Sequence, residues 1–389
     1  MIIMIEEARI KKNLEKLSFP RLSGTIYELE AFKKVKQEVE NLNLDYEVQS
    51  FTFSTFYSRI YPKIAFLSIS LILLTFYLNL FPIFSLILIF LLVGILIVCV
   101  LLTRKPENIQ FVSKLKSQNL LVKLKPKNSD VNNTDRVILF ISHIDSKGQR
   151  FKVRIRIRII KTWIYSSVIL AIIVILKNLI FSGFQLLFYL LGLIPLVVNM
   201  ISSILLLLNS TDNSSIGAID NASGLACNLE LVNFYANPEN RLTNYNLWFL
   251  FTGAEECGTM GVRFFYNNLE NFNSNKSIIF NFESIANDVF LFPGGNEGGH
   301  TKDIDRLLLN NNRQLNIHHY ITDRVLGTHS DGGFLGDQGL QGFGIGEVRS
   351  YEFMHTPNDT IDKIDTEVLM KLCLVLTDSL KEHDTSYNK

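Results

Sequence analysis

Arg136-Val-Ile-Leu-Phe-Ile-Ser-His-Ile-Asp145 decides the fold: five apolar residues in a row, Val137 to Ile141, run into an imidazole and a carboxylate. A continuous apolar run, rather than an alternating one, reads as a strand covered on both faces in the middle of a sheet. Polar residues that close such a strand stand where an α/β fold presents its ligands, because the strand fixes the backbone and the following loop is free. Trp248 to Thr252 and Ser277 to Phe282 repeat the pattern, and Tyr46 to Phe56 and Asn119 to Leu124 read as further strands. Helical periodicity marks Tyr27 to Leu42, Gly224 to Tyr235, Gly258 to Leu269, Lys302 to Arg313 and Asp365 to Lys381. The alternation predicts an α/β fold, a mixed sheet sandwiched by helices.

Away from these segments the chain is written for a different solvent. Ile64 to Thr103 is a run of 40 residues without a charge, enough for two membrane crossings at roughly 20 residues each. Asn79 to Pro82 supplies the turn. Thr162 to Thr211 carries Lys177 as its single charge and breaks near Lys177 to Gly183, which predicts two more spans. The expected organisation is therefore one α/β domain in three pieces, residues 1–61, 104–161 and 209–389, interrupted by transmembrane hairpins at 62–103 and 162–208.

The balance of 38 Lys+Arg against 37 Asp+Glu gives no field for nucleic acid, and none is expected as a partner. The N-terminus, MIIMIEEARIKKNLEKL, turns charged after five residues and reads as no cleavable signal. Cys99, Cys227, Cys257 and Cys373 are scattered, without paired metal-ligand spacing, and read as reduced, mostly buried thiols.

Five polar clusters punctuate the soluble pieces: His143-Ile-Asp145; Gly217-Ala-Ile-Asp220-Asn-Ala-Ser-Gly224; Gly253-Ala-Glu255-Glu256; Asn281-Phe-Glu283-Ser284; and His355-Thr-Pro-Asn-Asp359-Thr360. Singly, each has a bland explanation: a core histidine, a helix N-cap, a solvated first helical turn. Together they assemble two imidazoles and several carboxylates, the ligand set that Zn²⁺ prefers in hydrolytic sites.

In their order these clusters resemble the co-catalytic zinc peptidase family that contains bacterial leucyl aminopeptidases, glutamate carboxypeptidase and the transferrin receptor. Leu17-Ser-Phe-Pro-Arg21-Leu-Ser-Gly24-Thr resembles that family's N-terminal helix and turn. The resemblance implies two zinc ions, other divalent transition metals being alternatives. His143 and Glu283 would hold one, Glu256 and His355 the other, and Asp220 would bridge them. It also implies Glu255 as general base and Asp145 as the residue that orients the His143 ring. Two metals bridged by a carboxylate lower the pKa of a shared water, while a neighbouring carboxylate removes its proton.

Two departures stand out: Glu283 occupies a position where the family usually has Asp, with Asp288 a weaker candidate for the same duty, and a hairpin separates Asp145 from Asp220. The implied activity is removal of N-terminal residues from peptide substrates. A glutaminyl-cyclase-like or other amidohydrolase and a non-catalytic receptor or scaffold on the same fold are the alternatives. Segments Gly294 to His300 and Gly327 to Gly333 are expected as pocket walls.

Arg150-Phe-Lys-Val-Arg-Ile-Arg-Ile-Arg-Ile-Ile-Lys161 alternates charged and apolar residues with period two, which predicts a strand with one cationic face, blunting a sheet edge or meeting anionic lipid headgroups. Each hydrophobic block makes an even number of crossings, so the soluble pieces emerge on one side of the bilayer. Lys and Arg gather at the outer ends of the blocks, and the positive-inside rule then puts that side in the cytoplasm. The sequons at Asn132, Asn209, Asn213, Asn221, Asn275 and Asn358 point weakly the other way.

Overall fold

The computed structural model describes residues 4–79, 82–112, 114–127, 135–180, 182–269, 272–294, 299–311, 315, 317–319 and 330–386. In chain order its first half runs α1 (Glu7–Leu17), α2 (Ile26–Glu40), β1 (Tyr46–Ser54), α3 (Tyr61–Leu78), α4 (Pro82–Thr103), β2 (Lys114–Leu124), β3 (Val137–His143), β4 (Gly148–Gln149), α5 (Val153–Ile175), α6 (Gln185–Leu208) and β5 (Thr211–Asp212). Then follow α7 (Ser223–Ala236), β6 (Asn246–Thr252), α8 (Met260–Asn267), β7 (Ile278–Glu283), β8 (Val289–Gly294), α9 (Gly299–Asn310), β9 (Ile317–His319), α10 (Asp331–Asp337), β10 (Gly342–Gly346) and α11 (Thr366–Ser386). The chain divides into two compact units, residues 1–53, 115–148 and 212–389 in one, residues 54–114 and 149–211 in the other.

The first unit is built on an eight-stranded sheet of order β1-β2-β6-β3-β7-β10-β8-β9. Its centre, β6-β3-β7-β10, is parallel, while β2 and β8 join it antiparallel, so the expected mixed sheet between helices is the observed fold. Every residue of β3 is buried, as its unbroken apolar run requires. On one face a row of phenyl rings crosses four strands: Phe249 and Phe280 lie 5.2 and 5.4 Å from Phe140, and Phe343 lies 5.8 Å from Phe280. Helices α1, α2, α7 and α11 close over this face, and α8 and α10 cover the other.

Complete burial of a phenyl side chain is worth about 2 to 3 kcal/mol relative to exposure. A slip of one residue would turn every ring in the row to the opposite face. The row therefore fixes which residues end the parallel strands.

The second unit holds four helices long and apolar enough to cross a membrane, over Phe56–Leu78, Leu86–Thr103, Val153–Ile180 and Gln185–Leu208. Its apolar side chains, among them Phe90, Tyr165, Leu186 and Ile194, face outward. Its polar ones turn inward: Trp163 Nε1 donates to Ser70 Oγ and Ser203 Oγ, both at 2.9 Å, Ser70 Oγ donates to Asn199 Oδ1 at 2.7 Å, and Asn199 Nδ2 donates to Ser167 Oγ at 2.7 Å. Hydrogen bonds that tie helices together through small polar residues suit a surrounding of hydrocarbon, where a lone polar group finds no partner. The buried Lys177 donates to the Tyr77 carbonyl, its Nζ 4.1 Å from the centre of the Tyr189 ring.

The stretch from Arg150 to Lys161 is not the expected cationic strand, because most of it forms the start of α5. The period-two reading failed since the long apolar run behind it continues the same helix. Wound at 3.6 residues per turn, Arg154, Arg158 and Lys161 share one exposed face, while Arg156 bonds to Gln149 Oε1.

Candidate metal centre

Parallel register brings the functional strand ends to one edge of the sheet. His143, the last residue of β3, lies opposite Thr252, the last of β6, and Glu283, the last of β7, lies opposite Gly346, the last of β10. Beside the candidate ligands, Ala254, Ser284 and His355 adopt left-handed backbone, with φ of 53°, 56° and 60°. Each such conformation costs on the order of 1–3 kcal/mol and persists only where its surroundings over-determine it. They precede Glu255, follow Glu283, and include His355 itself.

Asp220 sits between the two imidazoles. Its Oδ1 is 3.1 Å from His143 Nε2 and its Oδ2 is 3.0 Å from His355 Nε2. Glu256 Oε1 reaches the same His355 nitrogen at 3.0 Å. Candidate ligand atoms of Asp220, Glu256 and His355 all lie within 4.8 Å of one another. Four of the expected ligands, His143, Asp220, Glu256 and His355, are thus brought side by side. Glu283 is half-buried at the end of β7, its Oε1 accepts from Asn281 Nδ2 at 3.0 Å, and it is outside the converging group. Asp288 faces Arg349 at 3.4 Å instead.

These residues fit a metal ion by a simple count of protons. His355 Nε2 can carry one hydrogen, yet two carboxylate oxygens approach it at 3.0 Å, and Glu256 Oε1 is a buried acceptor without a hydrogen bond among the described residues. Acceptors and ring nitrogens that converge without enough hydrogens between them are the donor set of a divalent cation.

The centre is buttressed from behind. The Asp145 carboxylate accepts the backbone amides of Glu255 at 3.0 Å and Glu256 at 3.1 Å, and the Ser23 hydroxyl as well. The nearer partner of His143 Nδ1 is the Asp145 carbonyl oxygen at 3.0 Å, with the carboxylate at 3.6 Å. Asp359 Oδ1 accepts the Ile219 amide at 2.6 Å, just before Asp220. Asp331 accepts the Thr252 hydroxyl, and its other oxygen is buried without a partner among the described residues.

Electrostatics separates the two neighbouring glutamates. Burial raises Glu256, but His355 and then Lys147 outweigh it and hold the carboxyl down at about 2. Burial pushes Glu255 well above the usual carboxylate range; His143 pulls it down, while Glu256, Glu283 and Asp331 add repulsion. Asp220, despite burial, is driven well below 3.8 by the two imidazoles. Burial lowers His143, yet bonds to Asp145 and Asp220 carry it well above 6.5. Glu283 is lifted to about 8, by burial first.

Two residues escaped the sequence reading. Lys147 Nζ pairs with Glu256 Oε2, and Glu28, 4% exposed, accepts the Ala254 amide and the Ser117 hydroxyl, both at 2.8 Å. Glu28 did leave a signal, because it shares a helical face with Ala31, Phe32, Val35 and Val39, where a carboxylate is out of place. Lys147 left none. The expected pocket walls at Gly294 to His300 and Gly327 to Gly333 lie largely outside the described residues.

Residues 197–378 match the model of Peptidase family M28. Among solved structures the fold is shared with an aminopeptidase from Aneurinibacillus sp. strain AM-1, at 14% identity and a TM-score of 0.58, covering 97% of this chain and 94% of that one. It is shared with a zinc aminopeptidase from Bacillus subtilis, at 13% identity and a TM-score of 0.55, covering 98% and 96%. A glutaminyl cyclase from Fimbriiglobus ruber also shares it, at 13% identity and a TM-score of 0.57, with the same coverage. No curated protein matches the sequence.

Proposed function

We propose that this chain is a zinc metallopeptidase of the M28 kind, and within that kind a membrane-anchored aminopeptidase with two zinc ions. The observation that carries the proposal is the convergence of Asp220, Glu256 and His355, with His143 on the other oxygen of Asp220 and the buried Glu255 beside Glu256. Asp220 would be shared, His143 and Glu283 completing one side, Glu256 and His355 the other. When bound, the zinc ions supply Lewis acidity toward a carbonyl oxygen and lower the pKa of water.

The chain's own groups do the rest. Glu255 takes the proton from the attacking water and returns it to the leaving amine. Its backbone amide is pinned by Asp145, so the side chain is aimed from a fixed base, and Asp145 at the same time steadies the His143 ring through its carbonyl. Glu28 holds the amide of Ala254, one residue earlier. Substrates are peptides with a free N-terminus. Elemental analysis of the purified chain together with a panel of aminoacyl amides tests the proposal: two zinc ions and amide hydrolysis are expected, and one ion with no hydrolysis would sink it.

A second reading, cyclisation of N-terminal glutamine on one zinc, is favoured by one observation: among the described residues, the converging group includes a single set of three ligands and leaves Glu283 bonded to Asn281. Glutaminyl peptides in the same panel, with ammonia release as readout, separate the two.

The four apolar helices are taken as two transmembrane hairpins, at 62–103 and 162–208, the intervening segments forming the peptidase domain on the cytoplasmic side. The exposed face of Arg154, Arg158 and Lys161 meets anionic lipid headgroups. All four native cysteines are buried, so a cysteine placed at exposed Lys12 reports the side cleanly. Protection of that cysteine from an impermeant reagent in intact cells is expected, and labelling from outside would reverse the orientation.

A further inference from the structure

Among the described residues Arg21 is the largest side chain wholly removed from solvent, and its guanidinium donates to main-chain carbonyls. Nε donates to Ile144 O at 2.6 Å, Nη1 to Ile216 O at 2.7 Å and Phe19 O at 3.1 Å, and Nη2 to Gly217 O at 2.8 Å. Ile144 lies between His143 and Asp145, whereas Ile216 and Gly217 lead into Asp220. The backbone of Arg21 joins in: its carbonyl accepts the Ser146 amide at 3.1 Å, and its amide donates to Ser146 Oγ at 3.2 Å. The Leu22 amide donates to Asn213 Oδ1 at 2.8 Å.

These bonds join two stretches between which the chain departs for the whole of α5 and α6, leaving the first unit after Gly148 and returning at Asp212. Covalent connectivity therefore does little to hold the His143 segment against the Asp220 segment, which outside the short β4–β5 pairing are joined by these bonds. We propose that Arg21 is a positioning residue that clamps the two ends of this insertion together and thereby sets the spacing of His143 and Asp220 for the metal; the inference rests on the metal-centre reading above.

The shape of the junction supports it. A planar fork with donors in fixed directions can serve four carbonyls at once, which a lysine ammonium with three donors cannot do. Burial lowers Arg21 to about 10, with Asp359, Asp220, Asp145 and Glu256 opposing, so the group stays cationic at neutral pH. Gly217, at φ 60°, leaves no room for adjustment: a Cβ there would stand 2.5 Å from Ser146 Cβ and 3.0 Å from Arg21 Nη1.

The test uses the full chain in detergent, with zinc affinity read by chelator competition and kcat and KM read separately on an aminoacyl amide. Arg21→Gly is expected to weaken zinc binding by about tenfold or more, the usual cost of removing a support behind a ligand, and to lower kcat with KM little changed. Added guanidinium should restore part of the affinity, and Arg21→Lys should not. Asn213→Ala, which removes the neighbouring anchor and leaves the buried charge in place, should weaken zinc binding several-fold. Wild-type zinc affinity in folded Arg21→Gly, or in Asn213→Ala should the Arg21 variants fail to fold, would overturn the clamp. A wild-type chain that binds no zinc would overturn the metal-centre reading and the clamp with it.

Discussion

Lys147 Nζ lies 2.5 Å from Glu256 Oε2, an ion pair in which the lysine side chain is 14% exposed and the carboxylate 5%. The cation neutralises a carboxylate that the proposed function gives to zinc, so it supports the metal-free centre and opposes the loaded one. Lys147→Met should destabilise the zinc-free chain by about 3 kcal/mol, the usual cost of leaving half of a buried pair. It should also tighten zinc binding, since a neighbouring positive charge is gone. Thermal unfolding with and without zinc reads both effects as a wider gap between the two midpoints. An unchanged gap would show that the pair plays no part in metal uptake.

Glu255 and Glu256 are adjacent in sequence, and substitution should separate their duties. Glu255→Gln is expected to keep the zinc content of the wild type while turnover falls about 10² to 10⁴-fold, the usual contribution of a positioned base. Asp220→Asn should lower both. Zinc loss in Glu255→Gln equal to that in Glu256→Gln would interchange or merge the roles.

Glu28 gives the metal-free chain a pH dependence of definite sign. Burial, followed by repulsion from Asp145, raises its carboxyl from 4.5 to about 8, against hydrogen bonds from Gly24, Ser117 and Ala254. The folded state thus holds this proton more tightly than the unfolded chain. The stabilisation is full below about 4.5 and is lost as pH climbs through about 8. Between those values Glu28 contributes a fall of up to about 1.4 kcal/mol per pH unit. Glu28→Gln should flatten the curve of unfolding free energy against pH over that window. Parallel curves for the two proteins would assign the slope to other groups.

Trp163→Phe should loosen the second unit without unfolding the first. The substitution keeps an aromatic ring and deletes the N–H that Ser70 and Ser203 share. The expected loss is about 1 kcal/mol, because hydrogen bonds between apolar spans are worth little more than that. Loss of helix content on unfolding in micelles measures it, while the fluorescence of Trp248, on β6 in the first unit, should be unchanged. A change in zinc affinity would contradict the confinement of the effect.

Much of this chain was legible because its signals are one-dimensional. The unbroken apolar run of β3 stated that the strand is central, and the 40 uncharged residues from Ile64 to Thr103 stated that two long apolar helices follow. The clusters of His143, Glu255-Glu256 and Glu283 fall at or just beyond the ends of β3, β6 and β7, which a parallel sheet carries to one edge, whereas Asp220 reaches that edge from the turn before α7 and His355 from the loop after β10.

Other features depend on which residues meet across the fold. Period two predicted a strand at Arg150 to Lys161, and only the helix that continues into α5 shows that Arg154, Arg158 and Lys161 share a face. Glu283 reads in sequence as a ligand that departs from the family's Asp, and only the fold shows that its Oε1 accepts from Asn281, two residues away on the same strand face. The pairing of Lys147 with Glu256, and the grip of Arg21 on carbonyls at both ends of an insertion, join residues more than a hundred positions apart. Sequence by itself determined which segments are buried and where polar groups cluster, since burial and periodicity are properties of neighbours along the chain. Tertiary structure alone decided which carboxylate is neutralised by which cation, because desolvation and Coulomb energy depend on distance in space.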